Sequence, residues 1–565
     1  MSQANLKRLI SPKTIAVFGS RGADCAIRET RKMGFKGEIW SVHPHREVLE
    51  GLDCYKSVQD LPGVPDAAFV AVNADAAIEI VSHLSAIGAG GAVMYASGFG
   101  EVGETGDDRT QQLIKAAGDM PIVGPNCYGF INNLDNVALW PDLHGCRAVD
   151  KGVAIITQSG NIGLNMTMQS IGLDIAYMFT LGNQVDTDIA NVMGAMLDDS
   201  RVTSIGLHIE GIRDIKAFDV VARRALKQKI PIVAIKSGRT AASAKIALSH
   251  TSSLTGEDQL FDVYFERVGI ARVDTVPEFL ETLKLLSIIG PLDHNGVASM
   301  SCSGGEAGMM ADLIEGLDIC FPSLESSHKA TIQSTLNDYV EVSNPLDYHT
   351  FVWGNREQTT ACFSAMMRGD FAATMLLLDW PKTDEVNQWE WDTTMLALAG
   401  AMKVTANKGI VLSSIPDCMP QRIIDQCLQL NIAPMIGLDT CLKALHHAYR
   451  CAQAFAKESL APIQVLNNDS NRLLNEVVLN EFNGKKKLAE SGLKTPAGYS
   501  VTSMFGSIEA AEKLGYPVTA KVLSEDISHK SECNGVRLNI VDKELLAHAA
   551  GELLEIAPTL LIETM

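Results

Sequence analysis

Over roughly the first 135 residues, short apolar runs alternate with helix-like segments, at Thr14 to Gly19, Ile39 to His43, Ala67 to Val72, Ala92 to Ser97 and Pro121 to Gly124. Strands that alternate with helices in this rhythm predict an α/β unit built on a doubly wound parallel sheet. Such a sheet takes its ligands at the carboxyl ends of its strands. Four of the runs end in turn-forming residues, at Gly19-Ser20, His43-Pro44, Val72-Asn73-Ala74 and Ser97-Gly98-Phe99-Gly100. Glycine there lets backbone N–H groups approach a phosphate, and a helix that follows presents its positive end to the negative charge. Gly19-Ser20-Arg21-Gly22 is not a full dinucleotide fingerprint, and a tight turn needs the same residues.

A second α/β unit is expected from Gly152, where Val153-Ala154-Ile155-Ile156 reads as a buried strand and Gln158-Ser159-Gly160-Asn161-Ile162-Gly163 turns into a helix. Ser159 and Gly160 leave room at that helix start, whose unpaired N–H groups and dipole suit a phosphate or a phosphohistidine. A nucleophilic serine is the rival reading, but Gly-x-Ser-x-Gly spacing is lacking and no partner base is evident. In the same unit Ile205-Gly206-Leu207-His208-Ile209-Glu210-Gly211-Ile212 is an apolar run that ends in an acid beside glycine. A carboxylate at a strand end suits Glu210 to accept an imidazole N–H and to support the charge of a phosphorylated histidine. His208 lies on the strand itself and reads as a core histidine.

The histidine in question is His250, within Gly238 to Gly256, a stretch of small and hydroxyl residues. A neutral imidazole is nucleophilic and can accept and return a phosphoryl group, so His250 is a candidate phosphoryl carrier. The alternative is a surface loop whose histidine does nothing.

A third α/β unit is expected from about Asn295 to about Lys457, with the strand Val297-Ala298-Ser299-Met300-Ser301 feeding the turn Cys302-Ser303-Gly304-Gly305-Glu306. Gly304 and Gly305 are expected to open a second phosphate-facing helix. Tyr348, His349, Phe351, Trp353, Trp380, Trp389 and Trp391 follow closely. Core packing accounts for such a cluster. The functional reading is an acyl pocket walled by Trp353 and Trp391, fit for an aryl acid or, by cation–π contact, for a carboxylate bearing an onium group.

A net charge of −20 argues against nucleic acid or an anionic membrane surface as the main partner. No apolar run reaches the length of a membrane span. Twelve cysteines are scattered without zinc-type spacing, and Met1 to Lys7 lacks an apolar signal core. Reduced thiols and a cytoplasmic location are therefore expected, and no metal-ligating residue is singled out. Past Ala461-Pro462 a polar connection leads to a different kind of domain, in which Gly515-Tyr516-Pro517-Val518-Thr519-Ala520-Lys521-Val522 is a strand with one lysine. A charge in an apolar strand calls for an anionic partner.

Several spaced motifs carry a resemblance. The stretch around Ser249-His250-Thr251 resembles the Ser-His-Thr-Gly-x-Leu-Ala-Gly signature of the ADP-forming (NDP-forming) acyl-CoA synthetases, relatives of succinyl-CoA synthetase, with Ser252 and Thr255 departing from it. Gly34-Phe35-Lys36-Gly37, Ser97 to Glu101 and Gly124-Pro125-Asn126-Cys127 resemble the CoA-binding domain of that family, and Ser343-Asn344-Pro345-Leu346-Asp347 resembles an element of its third unit. Asp526-Ile527-Ser528-His529-Lys530 resembles its ATP-grasp loop.

The resemblance implies a Rossmann-like CoA-binding domain over 1–140, a flavodoxin-like ligase domain with the phosphohistidine loop over 150–290, a second flavodoxin-like ligase domain over 293–460, and the N-terminal part of an ATP-grasp domain over 470–565. It implies that Ser20, Arg21, Pro44, Phe99 and Asn126 line the CoA site and that Glu210 partners His250. It further implies His529 as a second phosphoryl relay, Lys521 on ATP phosphate, and Glu563 on the strand bearing the adenine hinge. CoA, ATP and Mg²⁺ are the expected cofactors, with the Mg²⁺ ligands expected beyond residue 565. The expected partner is a small carboxylic acid, with a homo-oligomeric assembly. The implied reaction is acid plus ATP plus CoA giving acyl-CoA, ADP and phosphate. An ATP-dependent lyase acting through a CoA adduct of an onium or aryl carboxylate remains open, as does a non-catalytic CoA-binding scaffold.

Overall fold

The computed structural model describes residues 3–240, 242–243, 258–382, 386–457, 461–463, 479–524, 530 and 533–565. The chain divides into two compact units, Met1–Ile463 and Gln464–Met565.

In the first unit, the strand Thr14–Gly19 pairs in parallel with Glu38–Val42 on one side and Ala67–Ala71 on the other. The sheet continues through Ala92–Met94 to Ile122–Val123, and at its other edge through Leu52–Tyr55 and Val48–Leu49. Alternate residues of a strand point to opposite faces, and here both faces are covered. Ile15, Val17, Phe69 and Val93 join one core cluster, whereas Ala16, Phe18, Ala68 and Val70 join another. Dual burial is why these strands read as unbroken apolar runs. The fourth run stops as a strand at Met94 rather than Ser97, since Ala96 O accepts from Asn126 N at 2.8 Å outside the ladder.

The second sheet orders Ile270–Val273, Ile232–Lys236, Val202–Ile209, Gly152–Thr157, Ile175–Thr180, Gly129–Asn132 and Val137–Leu139. The first five are parallel, and the last two form an antiparallel hairpin on the edge. Residues 129–139 therefore hydrogen-bond into the second sheet, a correction to the sequence division that places them in the first. Their partner strand lies more than forty residues downstream, beyond any local signal.

The third sheet is wholly parallel, in the order Leu346–Asp347, Val297–Ser301, Ala373–Leu377, Gly409–Ser413 and Ala433–Ile436. It shares a core cluster with the second sheet. Between them runs the helix Val276–Ile288, with the buried ion pair Lys284–Glu281 at 2.8 Å. Lys284 also donates to Ile171 O at 3.0 Å, and Glu281 accepts from Ile436 N at 3.2 Å. A buried pair that is hydrogen-bonded on both sides escapes the cost of an uncompensated charge. It fastens this helix to segments of both sheets.

The second unit is an antiparallel sheet ordered Gly498–Val501, Leu560–Thr564, Val518–Val522, Val536–Ile540. The helices Met504–Leu514 and Lys543–Ile556 close its core through Ala511, Leu546, Ala550 and Leu553. Among the described residues, no helix is long and apolar enough to cross a membrane.

Candidate functional site

The carboxyl ends of the first and second sheets open on one cleft of about 910 Å³, lined by Asn73, Tyr95, Arg109, Asn126, Tyr128, Gln158, Ser159, Gly160, Asn161, Asn183 and Glu210, among others. On the first-sheet side Asn73 caps the helix Ala74–Ala86, accepting from Ala76 N at 3.0 Å. Arg109 grips Asp75 through Nε–Oδ1 at 2.9 Å and Nη2–Oδ2 at 3.2 Å, a fork geometry that holds the guanidinium in place. Asn126 reaches the cleft from a backbone φ of 56°. Glu101 accepts from Gly98 N at 2.6 Å and from the Asn183 amide. Burial pushes the Glu101 carboxyl up, but these donors outweigh it and hold it below the usual range.

On the second-sheet side the helix Gly160–Thr167 starts at the cleft, with Ser159 as its cap accepting from Ile162 N at 3.4 Å. A Cβ on Gly160 would stand 2.9 Å from the Tyr128 ring, so glycine alone lets that ring close against the helix start. Glu210 follows directly on the strand Val202–Ile209 and lines the same cleft. Its backbone N–H and that of Gly211 donate to Gln158 Oε1, while Gln158 Nε2 donates to Gly211 O at 2.7 Å.

His208 is buried, as expected of a core histidine, and bonded at both ring nitrogens: Nδ1 to Thr157 Oγ1 at 3.0 Å and Nε2 to Ser237 Oγ at 2.9 Å. Burial, with the nearby charge of Lys236, pulls its pKa down to about 4, so it is neutral near pH 7. Lys236 ends the neighbouring strand with its ammonium 4.6 Å from the Phe261 ring centroid. Burial brings it down to about 8, against the opposing pull of Asp258 and Glu210.

The site residues read from the sequence are placed unequally. Asn126, Ser159, Gly160 and Glu210 come together around the cleft. Ser20, Arg21 and Pro44 are exposed after the strands Thr14–Gly19 and Glu38–Val42, outside the residues that line it. Phe99, expected to line the CoA site, is wholly buried in the core cluster between the first sheet and its covering helices, outside the residues that line the cleft.

Gly304 and Gly305 do open a helix, Gly304–Leu313, but a Cβ on Gly304 would lie 3.2 Å from Asp347 Oδ2. Burial raises the Glu306 carboxyl there, and Asp379 and Asp347 raise it further. That helix start is thus faced by the protein's own carboxylates, which disfavour a phosphate. Trp353 and Trp391 meet at 5.1 Å between ring centroids and pack against the third-sheet core, outside the cleft. Trp380 is buried, donating from Nε1 to Asp392 at 2.9 Å.

In the second unit Lys521 and Lys485 both meet Glu563 and Glu481, and Lys530 meets Glu481. Burial opposes the charge on Glu481, but the lysines prevail and hold its pKa at about 2. His250 and His529 lie outside the described residues. Among the described residues, no group of three or more His, Cys, Asp or Glu side chains could hold a metal ion. The sequence reading missed Arg109, Gln158 and Lys236. Lys236, a charge closing an apolar strand, carried a signal of the same kind as Lys521.

Comparison with known proteins gives three family matches along the chain: a CoA binding domain over residues 13–133, a succinyl-CoA ligase-like flavodoxin domain over 150–286, and an ATP-grasp domain over 473–561. A trans-feruloyl-CoA synthase from an unknown prokaryotic organism is 27% identical over 558 residues, spanning 95% of this chain and 77% of that protein. The alpha subunit of the ADP-forming acetate–CoA ligase II of Pyrococcus furiosus is 30% identical over 358 residues, spanning 60% of this chain and 76% of that subunit. The apo form of the dinucleotide-forming acetyl-coenzyme A synthetase 1 of Candidatus Korarchaeum cryptofilum shares the fold, with a TM-score of 0.70 and 23% identity over 80% of this chain and 98% of that one. Three matched domains in this order, and a relative at 30% identity covered over three quarters of its length, establish that the chain belongs to the ADP-forming acyl-CoA synthetase family of the succinyl-CoA synthetase superfamily.

Proposed function

We propose that this protein is an acid–thiol ligase: a small carboxylic acid, ATP and CoA give acyl-CoA, ADP and phosphate. The observation that carries the reading is the convergence of Glu210 and the Ser159–Gly160 helix start on one cleft at the carboxyl ends of two sheets. His250 accepts the γ-phosphoryl group of ATP, with His529 as a relay, and passes it to the substrate carboxylate. CoA thiol then attacks the acyl carbon, a C–S bond forms, the C–O bond to phosphate breaks, and inorganic phosphate leaves. Each transfer conserves its phosphoryl group, so no oxidant or reductant is required.

The residues divide these tasks. The helix start at Ser159 and Gly160 offers backbone N–H groups and positive dipole to the phosphoryl oxygens. Glu210 accepts the N–H of the imidazole nitrogen that is not phosphorylated and supports its positive charge. Arg109, Asn73 and Asn126 furnish a cation and amides on the first-sheet wall of the cleft, suited to the phosphates of CoA. Ser20, Arg21 and Pro44 extend that binding face. In the second unit Lys521 and Glu563 are assigned to the nucleotide, with Mg²⁺ accompanying ATP. Gly304 and Gly305, faced by Asp347 and Glu306, are assigned no phosphate, and Trp353 with Trp391 is proposed to wall the acyl group.

ATP and CoA as co-substrates point to the cytoplasm, which cell fractionation tests, and light scattering tests a homo-oligomer. The decisive assay is ADP release over a panel of carboxylic acids with CoA, with products identified by mass spectrometry. Intact acyl-CoA is expected. ADP release with a fragmented acyl group would favour the lyase, and CoA binding with no ADP release would favour the scaffold.

A further inference from the structure

We infer that Gln158 is a positioning residue for Glu210, setting the direction in which that carboxylate enters the cleft. The inference rests on the reading that Glu210 supports a phosphorylated histidine. Gln158 belongs to the turn between the strand Gly152–Thr157 and the helix Gly160–Thr167, yet its side chain spends all its bonding on the segment after the neighbouring strand. Oε1 accepts from Glu210 N and from Gly211 N at 3.1 Å, and Nε2 donates to Gly211 O at 2.7 Å. Gln158 N also donates to His208 O at 3.4 Å. Gln158 is buried, with 5% exposure.

A side-chain amide presents an acceptor and a donor together, matching the N–H and C=O of a backbone segment. The ladder of the strand Val202–Ile209 stops at Ile209, so Gln158 holds backbone groups of Glu210 and Gly211 that lie past the last ladder pair. The effect of this clamp is to fix φ and ψ at Glu210, and hence its Cα–Cβ direction. The same turn carries Ser159 and Gly160, so the clamp also fixes the distance between the carboxylate and the helix start. Because a misplacement of about 1 Å can cost about 100-fold in rate, a group with no substrate contact can matter to the transfer.

The test is a double-mutant cycle on the full chain, reading phosphoenzyme formed from [γ-³²P]ATP or [³²P]acetyl phosphate, CoA binding by calorimetry, and melting temperature. Gln158→Met should slow phosphoenzyme formation at least tenfold while leaving the CoA Kd within twofold. In a Glu210→Gln background the same change should slow it no more than twofold further, since coupled residues are non-additive. Gln158→Glu keeps the acceptor for both N–H groups, loses the donor to Gly211 O and sets a like charge beside Glu210. The acid limb of its pH–rate profile should therefore move to higher pH. This isosteric variant carries the test if Gln158→Met fails to fold. Full additivity, or an unchanged rate and pH limb, would overturn the positioning role. A wild-type rate in Glu210→Gln alone, or no phosphoenzyme from either donor, would instead overturn the assignment of Glu210 or of the phosphoenzyme itself.

Discussion

Arg109 and Asp75 face each other on the first-sheet wall of the cleft in a two-point ion pair, Nε–Oδ1 at 2.9 Å and Nη2–Oδ2 at 3.2 Å. Arg109 is also tied to Gly98 O at 3.3 Å, which leaves one guanidinium held at the cleft by a helix start and a loop. Its positive charge is therefore placed in advance for an anionic ligand.

Arg109→Ala should weaken CoA binding by at least roughly tenfold, the size of about 1.4 kcal/mol and close to the lower edge of what a hydrogen bond to a charged group contributes. Calorimetry on the full chain reads this directly. An unchanged Kd removes Arg109 from the CoA site.

Stability should fall as the solution is acidified below neutrality. Burial holds both His208 and His446 at about 4 in the folded protein, against about 6.5 when unfolded. The unfolded chain therefore binds protons that the native state refuses. The contribution is complete above about 6.5 and is lost as pH falls toward about 4, at about 1.4 kcal/mol per pH unit for each histidine. His208→Gln should reduce that slope by one proton's worth in urea titrations between pH 7 and 4.5. An identical slope in the variant contradicts the assignment.

Glu481 gives a lower window. Its folded pKa of about 2 lies below the ordinary glutamate range, so its stabilisation is present above about 4.3 and is lost as pH falls toward about 2. Glu481→Gln should flatten the acid dependence of the melting of the C-terminal unit over that window. The same curve in variant and parent would show that the lysine cluster does not hold Glu481.

How far the sequence reveals this molecule depends on whether a feature is local. Thr14–Gly19 and Gly152–Thr157 are legible because strands buried on both faces must be apolar throughout. Glu210 is legible because an acid closing such a strand has no packing role. Gln158 is not, because its role consists of bonds to backbone 52 and 53 residues away. Phe99 shows the converse. Its loop motif marks the right end of the sheet, but which side chain faces the ligand depends on how the covering helices pack, and the ring turns inward. The edge hairpin at 129–139 escapes for the same reason as Gln158.

The tryptophan pair separates two roles. If Trp353 and Trp391 wall the acyl group, Trp391→Ala should raise the KM for the acid about tenfold while the CoA Kd and phosphoenzyme formation stay within twofold. A fall of several degrees in melting temperature with all partial reactions reduced together would assign the pair to the core against which it packs.

The most direct test of the proposed phosphoryl carrier is to locate the phosphate. After brief incubation with Mg-[γ-³²P]ATP or [³²P]acetyl phosphate, the protein should carry an acid-labile, base-stable label that peptide mass spectrometry places on His250. His250→Ala should abolish both that label and acyl-CoA formation, and Glu210→Gln should slow labelling by one or more orders of magnitude. Near-normal acyl-CoA synthesis by His250→Ala would contradict the account.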